Sequence, residues 1–121
     1  MGNLRNKILV LILLAIPFQF VHSQNSEKIK GQWLGTLKVP AAELRVVFNV
    51  SENEDGSLKA TLDSPDQGAF GIKVDSTIYN YPNVRFVVLA VRGSYEGKFE
   101  KDSIVGTWSQ GMSLPLTLKK K

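Results

Sequence analysis

Apolar and polar residues alternate cleanly in three consecutive segments near the end of the chain, residues 94–100, 103–109 and 114–118. Alternation with a period of two is typical of strands that bury one face, and the short polar stretches between the segments are typical of tight turns. Tyr95 and Trp108 fall on the inward faces of their segments. The pattern therefore predicts an antiparallel meander in this part of the chain.

The same alternation occurs five times earlier in the chain. It predicts strands over residues 31–39, 43–51, 57–63, 70–74 and 84–91. In the fourth of these strands, the predicted inward residues are Phe70, Ile72 and Val74. No segment after residue 23 has a helical period. We therefore predict an all-β fold, an antiparallel meander of about eight strands that forms a small closed or nearly closed β-barrel.

The first residues of the chain have a different pattern. Arg5 and Lys7 precede an apolar run over residues 8–18. This order predicts a cleaved N-terminal signal helix, a signal peptide over residues 1–23, rather than a membrane anchor, because a membrane span needs about 20 apolar residues. We expect a secreted or periplasmic protein with a single β-barrel domain over residues 24–121 and no stable membrane span after signal cleavage.

The composition narrows the chemistry that the mature domain can perform. The chain contains no Cys, and its single His, His22, lies in the predicted signal peptide. The domain over residues 24–121 therefore lacks imidazole bases, thiol nucleophiles and the usual transition-metal ligands. We expect it not to be an enzyme, and we expect no catalytic, cofactor-binding or metal-binding residues.

The charge of the chain argues against a nucleic-acid partner. The net charge is +4, from 15 basic and 11 acidic residues. Without Arg5 and Lys7, 13 basic and 11 acidic residues leave a net charge of +2. The basic cluster at residues 119–121 lacks the interleaved aromatic residues of a nucleic-acid-binding stripe. We expect no nucleic-acid partner.

Two acidic side chains, Asp63 and Asp66, flank the turn at residues 64–68. A pair of carboxylates can support acid–base catalysis, but an Asp at such a position commonly closes its own turn through a hydrogen bond to the backbone. We predict this turn-closing role for Asp66. Residues 51–56 resemble a calcium loop only in part, because Leu62 stands where the loop needs a bidentate Glu.

Three large aromatic residues, Trp33, Tyr95 and Trp108, lie on the inward faces of predicted strands. An eight-stranded barrel is just wide enough to be filled by side chains or to hold one small ligand. The rings either fill the core beside inward glycines such as Gly97 and Gly106, or they line a ligand pocket at the barrel mouth. Both interpretations stay open, and the three aromatic residues are the candidate ligand-binding residues.

Six short motifs resemble the small N-terminal β-domain that precedes the catalytic domain in some exported bacterial α/β-hydrolases. The motifs are GQWLG at 31–35, LRVVF at 44–48, ATLDSPDQG at 60–68, GSYEG at 93–97, IVGTWSQG at 104–111 and LPLTL at 114–118. The similarity covers nearly all of the chain after residue 23, and the SPDQG and GTW segments are its most specific part. The Gly-x-Trp pattern alone is shared loosely with lipocalin-like and avidin-like barrels.

In those longer proteins, a hydrolase domain with a nucleophile, an acid and a histidine follows the β-domain, whereas this chain ends at Lys121. The resemblance therefore implies an accessory module that stands alone, or the product of a split or truncated gene. It implies a hydrolase or another envelope protein as partner, and it does not imply that this chain hydrolyses a substrate.

Two functions are consistent with these observations. The first is an exported, non-catalytic β-barrel that serves as an accessory or interaction module, associated by resemblance with α/β-hydrolases. The alternative is a lipocalin-like or avidin-like barrel that binds a small apolar ligand at its mouth through Trp33, Tyr95 and Trp108. An enzyme that uses carboxylates alone is a third and more remote class.

Overall fold

A computed structural model of the protein describes residues 26–121, and the signal peptide predicted over residues 1–23 lies outside this range. The strands are β1 (Gly31–Val39), β2 (Ala42–Glu52), β3 (Leu58–Ser64), β4 (Ala69–Val74), β5 (Ser76–Asn80), β6 (Asn83–Val88), β7 (Gly93–Glu100), β8 (Ser103–Ser109) and β9 (Ser113–Lys120). Short 3₁₀ turns, Pro65–Gln67 and Leu89–Val91, follow β3 and β6. Within residues 26–121, no helix is long and apolar enough to cross a bilayer.

The strands form one antiparallel sheet of nine strands in the order β4-β3-β2-β1-β9-β8-β7-β6-β5. Neighbours in the sheet are neighbours in the chain, except where β1 lies beside β9. The alternating apolar residues point to a common interior, where they form a continuous core. The predicted all-β fold, an antiparallel meander forming a nearly closed barrel, is confirmed.

The two edges of the sheet are strands β4 and β5, which follow each other in the chain with only Asp75 between them. Strand β4 pairs with β3, and β5 pairs with β6. The two strands are therefore halves of one extended segment that brings the edges of the sheet together. At the junction, the Asp75 N–H donates to the Val87 carbonyl at 2.7 Å, and the Asp75 carboxylate accepts from the Leu89 N–H at 2.8 Å.

The sequence pattern did not predict β5. In this strand the apolar Ile78 points outward and is 44% exposed, whereas the hydroxyl groups of Thr77 and Tyr79 are buried. This arrangement is the reverse of the apolar-inward pattern by which alternation is recognised. The strand predicted over residues 84–91 corresponds to β6, which ends earlier, at Val88.

The prediction that Phe70 points inward is wrong, because its side chain is 68% exposed. A β-bulge causes the difference: between two paired positions, β3 advances by two residues and β4 by three. Gly71 supplies the left-handed φ of 67° that the bulge needs. Beyond the bulge, Ile72 packs against the core and Val74 is buried, as predicted.

The two ends of the barrel differ in how they are covered. At the end where β1 begins, which we call the closed end, residues 26–30 lie over the interior. Ile29 is fully buried there, and its carbonyl accepts from the Trp33 indole N–H at 2.8 Å. At the opposite end, which we call the open end, lie both 3₁₀ turns and the turns that join β1 to β2 and β8 to β9.

Tyr95 is fully buried in the middle of the core. Its hydroxyl donates to the Leu116 carbonyl at 2.8 Å. The space for this group comes from Gly97, where a Cβ would lie 2.8 Å from the Tyr95 hydroxyl. Its partner across β7 and β8, Gly106, allows the close approach of the β7 backbone, because a Cβ there would overlap the Glu96 carbonyl. Burial raises the pKa of the Tyr95 phenol well above its ordinary value, so the group remains a neutral donor.

We expect Tyr95→Phe to lower the free energy of unfolding by about 1–3 kcal/mol, because the Leu116 carbonyl loses a buried hydrogen-bond partner. Urea denaturation of both proteins measures the difference. Tyr81→Phe is the matched control, since Tyr81 is 52% exposed and surface substitutions usually change stability by less than about 0.5 kcal/mol. Equal losses in the two variants would contradict the special role of the Tyr95 hydroxyl.

Candidate functional site

A cavity of about 360 Å³ lies inside the open end of the barrel. Its walls come from inward positions of β1 to β4, from the end of β8 and from the start of β9. The wall residues include Leu37, Val46, Leu62, Ile72, Trp108 and Leu114. The volume lies just above the lower limit, about 300 Å³, of pockets that hold small molecules.

The distribution of aromatic side chains explains why the cavity lies at the open end. In the middle of the barrel, Phe48 stacks on Phe86 with ring centroids 4.4 Å apart. Toward the closed end, Trp33 meets Phe99 edge-on at 5.5 Å. The inward positions near the open end are mostly aliphatic, and the bulge in β4 turns Phe70 away from the interior. The space that a ring would fill at this end therefore stays open.

Trp108 borders the cavity in a fixed position. As predicted from the sequence, it is buried, with 4% of its surface exposed. Its indole N–H donates to the side-chain carbonyl of Gln110 at 3.1 Å, and the Gln110 amide donates to the Val91 carbonyl at 2.8 Å. Behind the ring, Gly93 has no side chain, and a Cβ there would overlap the indole. These contacts fix the indole in its place in the cavity wall.

The other two predicted ligand-binding residues lie elsewhere. Trp33 is 2% exposed and lies at the closed end, below Ile29 and against Phe99. Tyr95 is enclosed in the middle of the core. The structure therefore does not bring the three predicted aromatic residues together at one mouth, since Trp108 borders the cavity and the other two fill the interior.

Polar side chains at the rim of the cavity bond to one another. Ser64, which is 6% exposed, donates to the side-chain carbonyl of Gln67 at 2.7 Å. The Asp66 carboxylate accepts from the Arg45 backbone N–H at 2.8 Å and from its guanidinium Nη2 at 2.8 Å. These bonds attach the turn Pro65–Gln67 to β2 and β3. The hydrogen bonds from Arg45 hold the pKa of the Asp66 carboxyl below its ordinary value.

Both carboxylates that flank this turn have structural partners. The prediction that Asp66 closes its own turn is wrong, because its partner is Arg45 on the neighbouring strand β2. The Asp63 carboxylate accepts from the Gly71 N–H of the bulge at 2.8 Å and from the Asn49 amide at 3.0 Å. In the described part of the chain, no group of three or more His, Cys, Asp or Glu residues is arranged to hold a metal ion.

Two amides at the rim, Gln67 and Gln110, were not predicted as site residues from the sequence. Both lie in segments that carry only the composition of turns. A signal for them does exist, because alternate turns of a meander lie at the same end of a barrel. The turns at residues 64–68 and 110–112 are therefore expected to surround the same opening.

Comparisons of this chain with protein-family models, with curated proteins and with solved structures find no significant match. The similarity to the N-terminal β-domain of exported α/β-hydrolases therefore stays a prediction from the sequence motifs.

We expect Arg45→Gln to raise the pKa of Asp66 toward the ordinary value of an aspartate, about 3.9. The physical reason is that the guanidinium supplies the main hydrogen bonds and a favourable charge to the carboxylate. An NMR titration of the carboxyl carbons measures the change. Asp55 is an internal control, because its pKa is lowered by Ser57 and should be the same in both proteins.

Because of the Arg45–Asp66 pair, the free energy of unfolding depends on pH in a predictable direction. Because the folded-state pKa of Asp66 is depressed, its contribution to stability is present above the unfolded pKa of about 3.9 and is lost as the pH falls through the folded pKa. In Arg45→Gln this acid-induced loss should be smaller. An Asp66 titration that is unchanged by the substitution would show that another group sets its pKa.

Proposed function

We propose that this protein is a non-catalytic binding module that holds one small apolar molecule in the cavity at the open end of its barrel. The observation that carries the proposal is the composition of the cavity wall, which is apolar apart from Ser64, Gln67 and Gln110. The middle of the barrel, by contrast, is filled by packed rings. A concave, mostly apolar site with a few polar groups is the usual form of a small-molecule site.

The volume of the cavity limits the size of the ligand. An apolar cavity of about 150 Å³ is large enough to hold benzene, and this cavity has about 360 Å³. If each non-hydrogen atom needs roughly the 30 Å³ that a water molecule occupies in the liquid, the cavity holds about 12 such atoms. A short alkyl chain or a bicyclic ring has this size.

Binding would be driven by removing apolar surface of the ligand from water, at about 0.8 kcal/mol for each buried methylene. Within this wall the Trp108 indole is already held in place, because Gln110 accepts its hydrogen bond and Gly93 leaves room for the ring. A pre-formed wall strengthens binding, since little side-chain freedom is lost when the ligand enters.

We also propose that the protein acts outside the cytoplasm, in secreted or periplasmic form. The support comes from the sequence: the apolar run at residues 8–18 follows Arg5 and Lys7 as in a signal peptide. The proposal that the module is non-catalytic is supported by the lack of His and Cys in residues 24–121.

Linear primary alcohols of increasing length test the ligand-binding proposal. We expect the affinity measured by calorimetry to rise about fourfold for each added methylene, as 0.8 kcal/mol per methylene requires. The rise should level off near 11 carbons, when the cavity of about 360 Å³ is full. Affinity that never depends on chain length, or no binding of any alcohol, would contradict the proposal.

Two variants locate the binding. Ala69→Phe places a ring at a position that lines the cavity and should abolish binding. Ala90→Phe, the matched control, places the same ring on an exposed residue of the second 3₁₀ turn and should bind as the wild type does. The melting temperature of each variant shows that it is folded. Equal binding by both variants would place the ligand elsewhere.

A second candidate function is an accessory module that contacts a hydrolase or another envelope protein through the open end. The observation that favours it is a set of exposed apolar residues around the mouth, Phe70 at 68%, Leu89 at 66% and Met112 at 54% exposure. They lie on three separate parts of the chain, and Met112 also lines the cavity. Exposed apolar residues at one end of a domain are candidates for a contact surface.

Affinity capture from the cell envelope tests this second candidate. We expect the exported protein to retain a specific partner that is lost when Phe70 and Leu89 are both replaced by Ser. The matched control replaces Ile78 and Val105, exposed apolar residues on the outside of the barrel wall, by Ser and should retain the partner. Recovery of no protein above background would count against an accessory role.

A further inference from the structure

We infer that the molecule held in the open-end cavity is electrically neutral and carries a hydrogen-bond acceptor that meets the side chain of Gln67 at the rim. The inference rests on the proposed ligand-binding function, and it adds the chemical class of the ligand. That class is a neutral molecule with an apolar body and one hydroxyl, carbonyl or ether oxygen.

The cavity wall limits the charge that a ligand can carry. None of the side chains that line the cavity is ionisable. Moving an ion from water into an apolar site is strongly unfavourable unless an opposite charge and hydrogen bonds meet it there. The part of the ligand that enters the cavity is therefore neutral.

A charged pair, Arg45 and Asp66, lies at the rim. The guanidinium donates from Nη2 to Asp66 Oδ1 at 2.8 Å and from Nε to the same oxygen at 3.2 Å. The other carboxylate oxygen, Oδ2, accepts from the Arg45 backbone N–H at 2.8 Å. The carboxylate thus neutralises the guanidinium charge, and the pair offers a charged ligand no net opposite charge at the rim.

The two amide side chains at the rim differ in how many hydrogen bonds they already make. Gln110 uses its carbonyl for the Trp108 indole and its amide nitrogen for the Val91 carbonyl. The Gln67 carbonyl accepts from Ser64. The Gln67 side chain is exposed, and its NH₂ group makes no hydrogen bond to another residue that the structure describes, so it is accessible to a ligand at the mouth of the cavity. An NH₂ group is a donor, so the ligand that complements it supplies an acceptor.

Three ligands with the same octyl chain test the inference: 1-octanol, octanoate and octylammonium. We expect octanol to bind at pH 7 at least about tenfold more tightly than either ion, as measured by calorimetry. When the pH is lowered to about 3.5, below the ordinary pKa of a carboxylic acid near 4, octanoate becomes neutral and its affinity should approach that of octanol. Octanol measured at both pH values controls for effects of pH on the protein itself.

The possible results separate the inference from the function on which it rests. Equal affinities of the three ligands at pH 7 would overturn the neutral ligand class and leave the apolar site intact. Arg92 is an exposed residue that follows the wall residue Val91. Tighter binding of octanoate that is lost in Arg92→Gln would assign an anionic ligand to this residue and would also overturn the neutral ligand class. No binding of any of the three would overturn both the inference and the proposed function.

The role of Gln67 is tested by comparing octanol with nonane, which has the same number of non-hydrogen atoms but no acceptor. We expect Gln67→Leu to reduce the octanol affinity several-fold while leaving that of nonane unchanged or higher. Ser109→Leu, on the β8–β9 hairpin outside the cavity lining, is the control and should affect neither ligand. An octanol-to-nonane affinity ratio that is the same in Gln67→Leu and in the wild type would overturn the assignment of the acceptor to Gln67.

Discussion

The architecture depends on the junction at Asp75, where the two edges of the sheet meet. An open sheet presents unpaired N–H and C=O groups along both edges, and a flat arrangement of these strands would leave their apolar faces in water. One extended segment, residues 69–80, pairs with β3 through its first half and with β6 through its second. This sharing curls the sheet so that the inward faces of all the strands enclose a single interior, and both the core and the cavity exist as a result.

The interior is divided along its length into a filled part and a hollow part. Packed rings occupy the middle, where Tyr95 and Phe86 stack at 6.1 Å between centroids, and the N-terminal residues 26–30 cover the closed end. Aliphatic side chains surround the cavity at the open end. Because burial of apolar surface is the dominant favourable term in folding, the filled part, which contains the packed rings, stabilises the fold. Trp108 lies at the boundary and belongs to both parts.

Much of the fold could be predicted from the sequence because the strands follow a period of two, which assigns each side chain to one face. The rule fails at Phe70, where the bulge at Gly71 shifts the alternation by one residue, and in β5, where the apolar Ile78 faces outward.

The candidate site was harder to predict, because alternation shows which face of the sheet a side chain lies on but not its position along the barrel axis. Trp33 and Trp108 both point inward, yet the first lies near the start of β1 and the second near the end of β8. They therefore lie toward opposite ends of the barrel. The role of Gly93 as the support of the Trp108 ring depends on the pairing of β7 with β8, which the local sequence does not contain.

The order of the strands also has a consequence for how the chain folds. The ladders join strands that are consecutive in the chain, apart from the short β1–β9 contact, which pairs Trp33 with Lys120 and Leu34 with Lys119. Residues 31–74 and residues 76–120 can therefore each assemble a sheet from local hairpins, and local contacts favour rapid folding. We therefore expect the docking of these two half-sheets, which stacks Phe48 from one half on Phe86 from the other, to be the later step.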